Sequence, residues 1–403
     1  MKFIHCADAH LDSPFFGLKQ IDQTVGDKLY QAPFTAFERM IDRAIADEVA
    51  FILIAGDTFD SQNQNLKVQW FLKNQFQRLQ AVGIQVYLIF GNHDYLNETT
   101  TQLTYPENVH IFGAQPEVMR YISAEGFKID ITGFSYDQRH ITENVAADYP
   151  ERRLDADLAI GLLHGGLKGA GDANYAPFEL NDLLQKGYDY WALGHIHHRR
   201  ALNRRPDIIY AGNLQGRNID ESGVKGFYEI NYQYNDLATA FVPVAPFQWQ
   251  QMTIEDQQRL TVPEVVQHLK SMLISLPEKT NFLLRIILKA DSIDANTQQA
   301  AANGQLLDIL RTELKALNSD QIIYPISVQV AADADLDLPE IDTKYWQVSV
   351  DEIFSATNLQ EVLGNLNKER FVTDKFVQTE ALQELRQAAE LKILNNTKDE
   401  AAD

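Results

Sequence analysis

The sequence predicts an α/β layered fold for the first 250 or so residues, and three observations carry that prediction. Apolar segments rich in β-branched and aromatic residues alternate with segments of helical periodicity. The joints between them are short, which implies parallel strands with right-handed crossovers. Five of the apolar segments also stop abruptly in small or polar residues, always Gly, Asp, Asn or His, at their C-terminal ends.

KFIHCA opens the chain as a strand. APFTAFERMIDRAIADEV follows as a helix, with Phe34, Phe37, Ile41, Ala44 and Ile45 near one face. FILIA is the second strand, and LKVQWFLKNQFQRLQAVG a second helix with Gly83 as its C-terminal cap. IQVYLIF is the third strand. FKIDITGFSY, DLAIGLLHGG, YDYWALGHIHH and DIIYAGN continue as strands, with FELNDLLQKG a short helix, and VKGFYEI and ATAFVPV extend the β pattern. The texture then changes. VPEVVQHLKSML and GQLLDILRTELKAL read as helices, and NFLLRIILKA and QIIYPISVQV as strands, a compact α+β unit. AADADLDLPEID is an acidic connector. Beyond it, Val372, Phe376, Leu382, Leu385 and Ala389 form an apolar stripe on C-terminal helices. The expected division is therefore 1–248, 249–331 and 332–403.

Composition bounds the function. With 403 residues, 45% hydrophobic and 23% charged, the chain is an ordinary globular one with more than a single core. No apolar run is long enough to span a bilayer, and MKFIHCADAH lacks the apolar core of a signal peptide, so a cytoplasmic enzyme is expected. One cysteine, Cys6, excludes an internal disulfide framework and a multi-cysteine zinc site; within an apolar strand it reads as a structural thiol. A net charge of −21 argues against a generally basic nucleic-acid binder. Against that background HHRRALNRR places Arg199, Arg200, Arg204 and Arg205 just after two histidines.

The strand ends hold the chemistry. The first ends in D-A-H (Asp8, His10), the second in G-D-T-F-D (Asp57, Asp60) and the third in G-N-H-D (Asn92, His93, Asp94). Two later ones end in L-H-G-G (His164) and G-H-I-H (His195, His197). Each motif alone is weak. Ligands gather at the carboxyl ends of strands in α/β sheets, so all five together deliver oxygen and imidazole donors to one rim. Two divalent cations need about four to six ligands each, and this donor mixture suits Mn²⁺, Fe²⁺ or Zn²⁺ if one carboxylate bridges.

In this order the motifs resemble those of the calcineurin-like metallophosphoesterases. The nearest branch is the SbcD-type DNA repair nucleases, and within it the bacterial YhaO-type group, on the evidence of HCADAHLDSPFFGL and YAGNLQGRNIDESGVKGFYEI. The resemblance covers residues 1 to about 230 and implies two sheets flanked by helices, followed by a smaller α+β capping domain. It implies one cation on Asp8, His10, Asp57 and His197, and a second on Asp57, Asn92, His164 and His195. His93 becomes the acid assisting the leaving oxygen, and Asp60 the group expected to hydrogen-bond the other nitrogen of its ring. Gly91 is expected to let the backbone turn between ligand and acid. Asp94 is left open between a turn cap and catalysis. Gln215, Arg217 and Asn218 follow the next strand at the same rim, where Arg217 could take a phosphate bidentately, with Arg199 and Arg200 nearby. The resemblance further implies DNA as substrate, manganese as the metal, and a coiled-coil SMC-like ATPase of the SbcC/YhaN kind as partner through the C-terminal elements, and it allows a homodimer. A phosphatase or phosphodiesterase for a small nucleotide, and a non-catalytic scaffold, are the competing readings.

Overall fold

A computed structural model of the chain describes residues 1–15, 22–61, 64–96, 103–169, 173–277, 280–315 and 321–331, with residues 353, 355 and 358. In chain order the elements are β1 (Lys2–Cys6), α1 (Gln23–Ala46), β2 (Phe51–Ala55), α2 (Leu66–Gln80), β3 (Gln85–Ile89), β4 (Val109–Ile111), β5 (Glu117–Ile122) and β6 (Lys128–Gly133). They continue with β7 (Leu158–His164), α3 (Leu180–Leu184), β8 (Tyr190–Gly194), β9 (Arg200–Asn203), β10 (Asp207–Tyr210), β11 (Gly226–Gln233), β12 (Asp236–Pro243) and β13 (Phe247–Ile254). The last are α4 (Val262–Leu273), β14 (Asn281–Lys289), α5 (Ala295–Ala302), α6 (Gln305–Lys315) and β15 (Ile323–Ala331). The C-terminal stripe from Val372 to Ala389 lies outside the described residues. Among the described residues no helix is long and apolar enough to cross a membrane.

The strands form two six-stranded sheets, in the orders β12-β11-β1-β2-β3-β4 and β5-β6-β7-β8-β10-β9, and a three-stranded one, β13-β14-β15. β1 to β4 run parallel, as do β6, β7, β8 and β10. The five polar strand ends therefore come from two sheets rather than from one open sheet.

Period-two alternation explains the layering. In β1 and β2, Ile4, Cys6, Ile52 and Ile54 point to one side, where Phe37, Met40, Leu72 and Phe76 of α1 and α2 cover them. Phe3, Phe51, Leu53 and Ala55 point to the other and meet Ile131, Ile160, Leu162 and Ala192 of the second sheet. Truncating a fully buried ring such as Phe51 to alanine should cost about 3–5 kcal/mol, because the packed layers cannot close the hole. Cys6 is buried here, and burial pushes its thiol up, as befits a structural cysteine.

The first helix is longer than its expected start at Ala32. It begins at Gln23, capped by Asp22 Oδ1 accepting from the Val25 amide at 3.1 Å, and runs through Pro33. The missing proline donor is outweighed by burial of the extra turns: Val25, Leu29 and Ala32 pack with Phe15, Ile219, Phe247 and Trp249.

The described residues divide into two compact units, one drawn from Met1–Gln251, Pro277–Leu284 and Leu317–Ile326, the other from Met252–Leu276, Arg285–Ala316 and residues 327–331. In the second, α4 buries Val265, Leu269 and Leu273, and α6 buries Leu306, Leu310 and Leu314. A Lys270–Glu313 ion pair of 2.7 Å joins those helices.

Candidate metal centre

The C-terminal ends of β1, β2, β3, β7 and β8 meet, and the residues just past them leave the extended conformation at once. Asp8, His10, Asp57 and His195 have φ of 50°, 40°, 49° and 100°, left-handed values that side-chain-bearing residues adopt at a cost of order 1–3 kcal/mol each. Such strain persists only where surrounding bonds enforce it. Here the amides of Asp8 and His10 donate to the carbonyls of Gly56 and Asp57, both at 3.1 Å, and the His195 amide donates to the Asp8 carboxylate at 3.1 and 3.2 Å.

One ligand atom from each of Asp8, His10, Asp57 and His197 falls within a 4.8 Å cluster. His197 Nδ1 lies 2.7 Å from Glu221 Oε1, and His10 Nδ1 lies 3.2 Å from Asp60 Oδ1. With its proton on Nδ1, facing these carboxylates, each ring would turn the Nε2 lone pair inward, the form a metal ligand takes; the Arg217 guanidinium also lies 3.1 Å from His197 Nδ1. The two Nε2 atoms are 3.1 Å apart. Facing lone pairs at that distance repel unless a positive charge sits against both.

A second convergence lies beside it. His164 Nδ1 donates to the Ala55 carbonyl at 2.9 Å, which directs its Nε2 towards Asn92 Oδ1 at 3.0 Å and Asp57 Oδ2 at 3.5 Å. His195 Nδ1 approaches the same Asn92 oxygen at 3.1 Å. Asp57 is common to both clusters.

Electrostatics make the same demand. Burial would raise the Asp57 carboxyl, but His164, His93 and His10 outweigh it and hold it well below the usual carboxylate range. Asp8 goes the other way, raised by burial and by Asp57 against the pull of His197, His164 and His195. Burial, with Arg217, lowers His10 to about 3, which keeps it neutral as a ligand must be. For His164, burial is outweighed by Asp57 and Asp8, which raise it to about 9; the buried carboxylates call for positive charge at that point. The mixed donors, the facing lone pairs and the excess negative charge fit a pair of divalent cations.

Glycines make the room. A Cβ on Gly91 would lie 2.3 Å from Asp57 Oδ1 and 2.7 Å from His164 Cε1; one on Gly56 would lie 2.4 Å from His164 Nδ1. Gly56 is also left-handed, at φ 87°. Gly91 is not, so close approach, rather than the expected turn, is what requires it.

The remaining expected residues take places the sequence did not disclose. His93 sits edge-on to His10, its amide donating to Asp57 Oδ1 at 2.9 Å. Its Nδ1 donates at 2.9 Å to the backbone carbonyl of Asp60, not to the Asp60 carboxylate. That carboxylate is drawn instead to His10 and to the Arg217 guanidinium, 2.9 Å away, because both offer it charge or a donor. Arg217 is correspondingly not a free phosphate clamp, since it also meets Glu221 through Nε at 3.3 Å and Nη2 at 3.2 Å. Gln215 is buried, bonding the Gly216 and Phe247 carbonyls, and Asn218 caps a short 3₁₀ turn. Asp94 ties the ends of β2 and β3 together, accepting from the amides of Thr58 and Gly91, each at 2.7 Å, and of Phe59 at 3.2 Å. That is a turn cap.

The arginine cluster is split. β9 runs antiparallel to β10 with Arg200 opposite Tyr210 and Asn203 opposite Ile208, so Arg199 and Arg200 lie at the end where β8 passes into His195. Arg204 and Arg205, about 13 Å further along the ribbon, lie at the opposite end. There they line a cavity of about 1100 Å³ with Asp189, Tyr228 and Tyr232, remote from the donors.

Sequence reasoning passed over Glu221 and Lys225. Glu221 also accepts from Asn213 Nδ2 at 2.6 Å, and Lys225 Nζ donates to the His197 carbonyl at 2.7 Å. The only sequence signal for Glu221 was its i+4 spacing from Arg217.

Comparison with known proteins agrees with this geometry. Residues 1–199 match the model of the calcineurin-like phosphoesterase family. The chain is 35% identical over 399 residues to the uncharacterized metallophosphoesterase YhaO of Bacillus subtilis, covering 97% of this chain and 96% of that one. It is 24% identical over 408 residues to the DNA double-strand break repair protein Mre11 of Saccharolobus solfataricus, covering 93% and 97%. To the protein of that name from Methanocaldococcus jannaschii it is 26% identical over 252 residues, covering 59% and 64%.

Proposed function

The chain belongs to the calcineurin-like metallophosphoesterases, and on that premise we propose that this metal-dependent phosphoesterase is a DNA nuclease of the repair type. Its carrying observation is the pair of convergent donor clusters joined at Asp57, one closed by the facing Nε2 atoms of His10 and His197, the other by Asn92 Oδ1 between His164 and His195. Asp8, His10, Asp57 and His197 would hold one cation and Asp57, Asn92, His164 and His195 the other. When bound, such a pair polarises a phosphodiester and activates water for in-line attack.

The chain's own residues do the rest. The Asp60 carbonyl accepts from His93 Nδ1 and orients the ring; in its imidazolium form His93 carries a second proton on Nε2, which passes to the leaving oxygen and leaves the neutral ring still bonded through Nδ1. Arg199 and Arg200, both exposed at the rim end of β9, would meet the flanking backbone phosphates. The names of the Mre11 relatives support DNA as substrate. Manganese is the metal we expect, because Mg²⁺ prefers all-oxygen shells and imidazole does not. The likeness to the SbcD-type nucleases supports a coiled-coil SMC-like ATPase as partner and a cytoplasmic site of action.

The test is chelated protein reloaded with Mn²⁺ or Mg²⁺ and given end-labelled linear DNA, cyclic nucleotides and a small chromogenic phosphodiester. Mn²⁺-dependent cleavage of DNA is expected. Cleavage of the cyclic nucleotides but not of DNA would replace the nuclease with a small-nucleotide phosphodiesterase, and full activity without metal would end the two-cation reading.

A further inference from the structure

We propose that Arg217 is a positioning residue that sets the angle between His10 and His197 by cross-linking the carboxylates behind them. The inference rests on the two-cation reading above. Five side chains form a closed circuit. His10 Nδ1 lies 3.2 Å from Asp60 Oδ1, and Arg217 Nη1 donates to the same oxygen at 2.9 Å. Arg217 Nη2 and Nε reach Glu221 Oε1 at 3.2 and 3.3 Å, Nη2 also lies 3.1 Å from His197 Nδ1, and that nitrogen lies 2.7 Å from Glu221 Oε1. The circuit closes across the 3.1 Å separation of the two Nε2 atoms.

The topology explains why such a bridge is needed. Asp60 follows β2 in the first sheet, while Arg217 and Glu221 follow β10 in the second. The two imidazoles thus belong to loops of different sheets, and neither loop alone fixes their mutual angle. A planar guanidinium can meet both carboxylates at once; a lysine ammonium presents a single point charge. Glu221 is itself immobilised, its other oxygen accepting from Asn213 Nδ2 at 2.6 Å and the Arg217 amide at 2.7 Å. The charges also fit. Arg217 lies against Asp60 and Glu221, and Lys225 lies beside Glu221 and Asp8, so the positive charge is placed behind the ligands. Orienting groups behind a ligand histidine commonly control metal affinity 10- to 100-fold.

The experiment titrates chelated full-length protein with Mn²⁺ by calorimetry and follows the same samples by electron paramagnetic resonance, which separates a lone ion from a coupled pair. Wild type should load two ions per chain. Arg217→Met should keep one site at wild-type affinity and weaken the other by about 10- to 100-fold, giving a lone-ion spectrum where wild type shows a coupled one. Arg217→Lys should recover only part of the loss. Should Arg217→Met fail to fold, Glu221→Gln carries the test, since it removes the charge between Arg217 and His197 at nearly constant size. Wild-type loading of either folded variant, or equal weakening at both sites, would overturn the role of Arg217 alone. A wild type that takes up no Mn²⁺ would overturn the two-cation reading itself.

Discussion

Gly91→Ala tests the site through space rather than charge. The added Cβ would lie 2.3 Å from Asp57 Oδ1 and 2.7 and 2.8 Å from His164 Cε1 and Nε2, against about 3.5 Å for an ordinary contact. One of them must move by roughly 1 Å, and neither is free to do so cheaply. Asp57 Oδ1 accepts from the His93 amide at 2.9 Å, and His164 is held by the Ala55 carbonyl at 2.9 Å with Gly56 and Gly194 packed against its ring. Overpacking of this kind costs about 1–3 kcal/mol of stability. A displacement of about 1 Å in the reacting groups costs about 100-fold in rate. The assay is turnover of a small chromogenic diester with saturating Mn²⁺, beside metal content and thermal midpoint. Gly83→Ala is the control: it is left-handed at φ 79° with nothing within 4 Å of the added carbon, so it should lose stability and keep activity. Gly91→Ala with two ions bound and activity within about threefold of wild type would refute the steric reasoning, because the tolerance for such sites is about 0.5 Å.

Four further outcomes are expected. His93→Ala should keep both metals and lose two to four orders of magnitude in turnover, roughly the scale of a lost general acid; loss of metal instead would make His93 a ligand. Asp60→Asn, by contrast, should weaken metal binding more than it harms proton delivery, since its carboxylate faces His10 while its carbonyl faces His93. Neutralising Arg199 and Arg200 should weaken DNA binding and flatten its salt dependence, while neutralising Arg204 and Arg205 should leave both unchanged; equal effects would remove the rim argument. Stability should also depend on His5, whose ring is buried against the Tyr190 hydroxyl at 2.9 Å and the Leu193 carbonyl at 3.2 Å. Burial lowers it to about 3, so the folded chain keeps it neutral while the unfolded chain protonates below about 6.5. Its contribution is complete above pH 6.5 and lost as pH falls towards 3. In chelated protein, His5→Gln should reduce the acid-side slope of unfolding free energy by up to about 1.4 kcal/mol per pH unit, and an unchanged slope would place the acid sensitivity elsewhere.

Much of this molecule was legible in one dimension because the information is local. Strands announced themselves by β-branched runs, and their ends by Gly, Asp, Asn and His in places where a strand does not otherwise stop. Asp8, His10, Asp57, Asn92, His164, His195 and His197 stand just beyond strands that terminate on the same side, so reading strand ends was enough to collect them. Helix α1 was less legible, since its apolar spacing was read only from Ala32 onward and the packing of Val25 and Leu29 is what reveals the turns before it.

What the tertiary structure alone decided is which atom of each residue faces which neighbour. Asp60 offers its carbonyl to His93 and its carboxylate to His10 and Arg217, a division no residue type or spacing encodes. Gly91 is glycine because a histidine from another sheet occupies the space its side chain would need. Arg199 and Arg205 are near neighbours in sequence but are carried to opposite ends of a β-ribbon, because an extended chain advances about 3.3 Å per residue. Glu221 became visible only when the loop after β10 closed on His197. Residue chemistry and strand periodicity are properties of the chain within a few positions, whereas orientation, exclusion and ion pairing depend on contacts between distant segments, such as the 187 positions that separate His10 from His197, which exist only once the two sheets have packed.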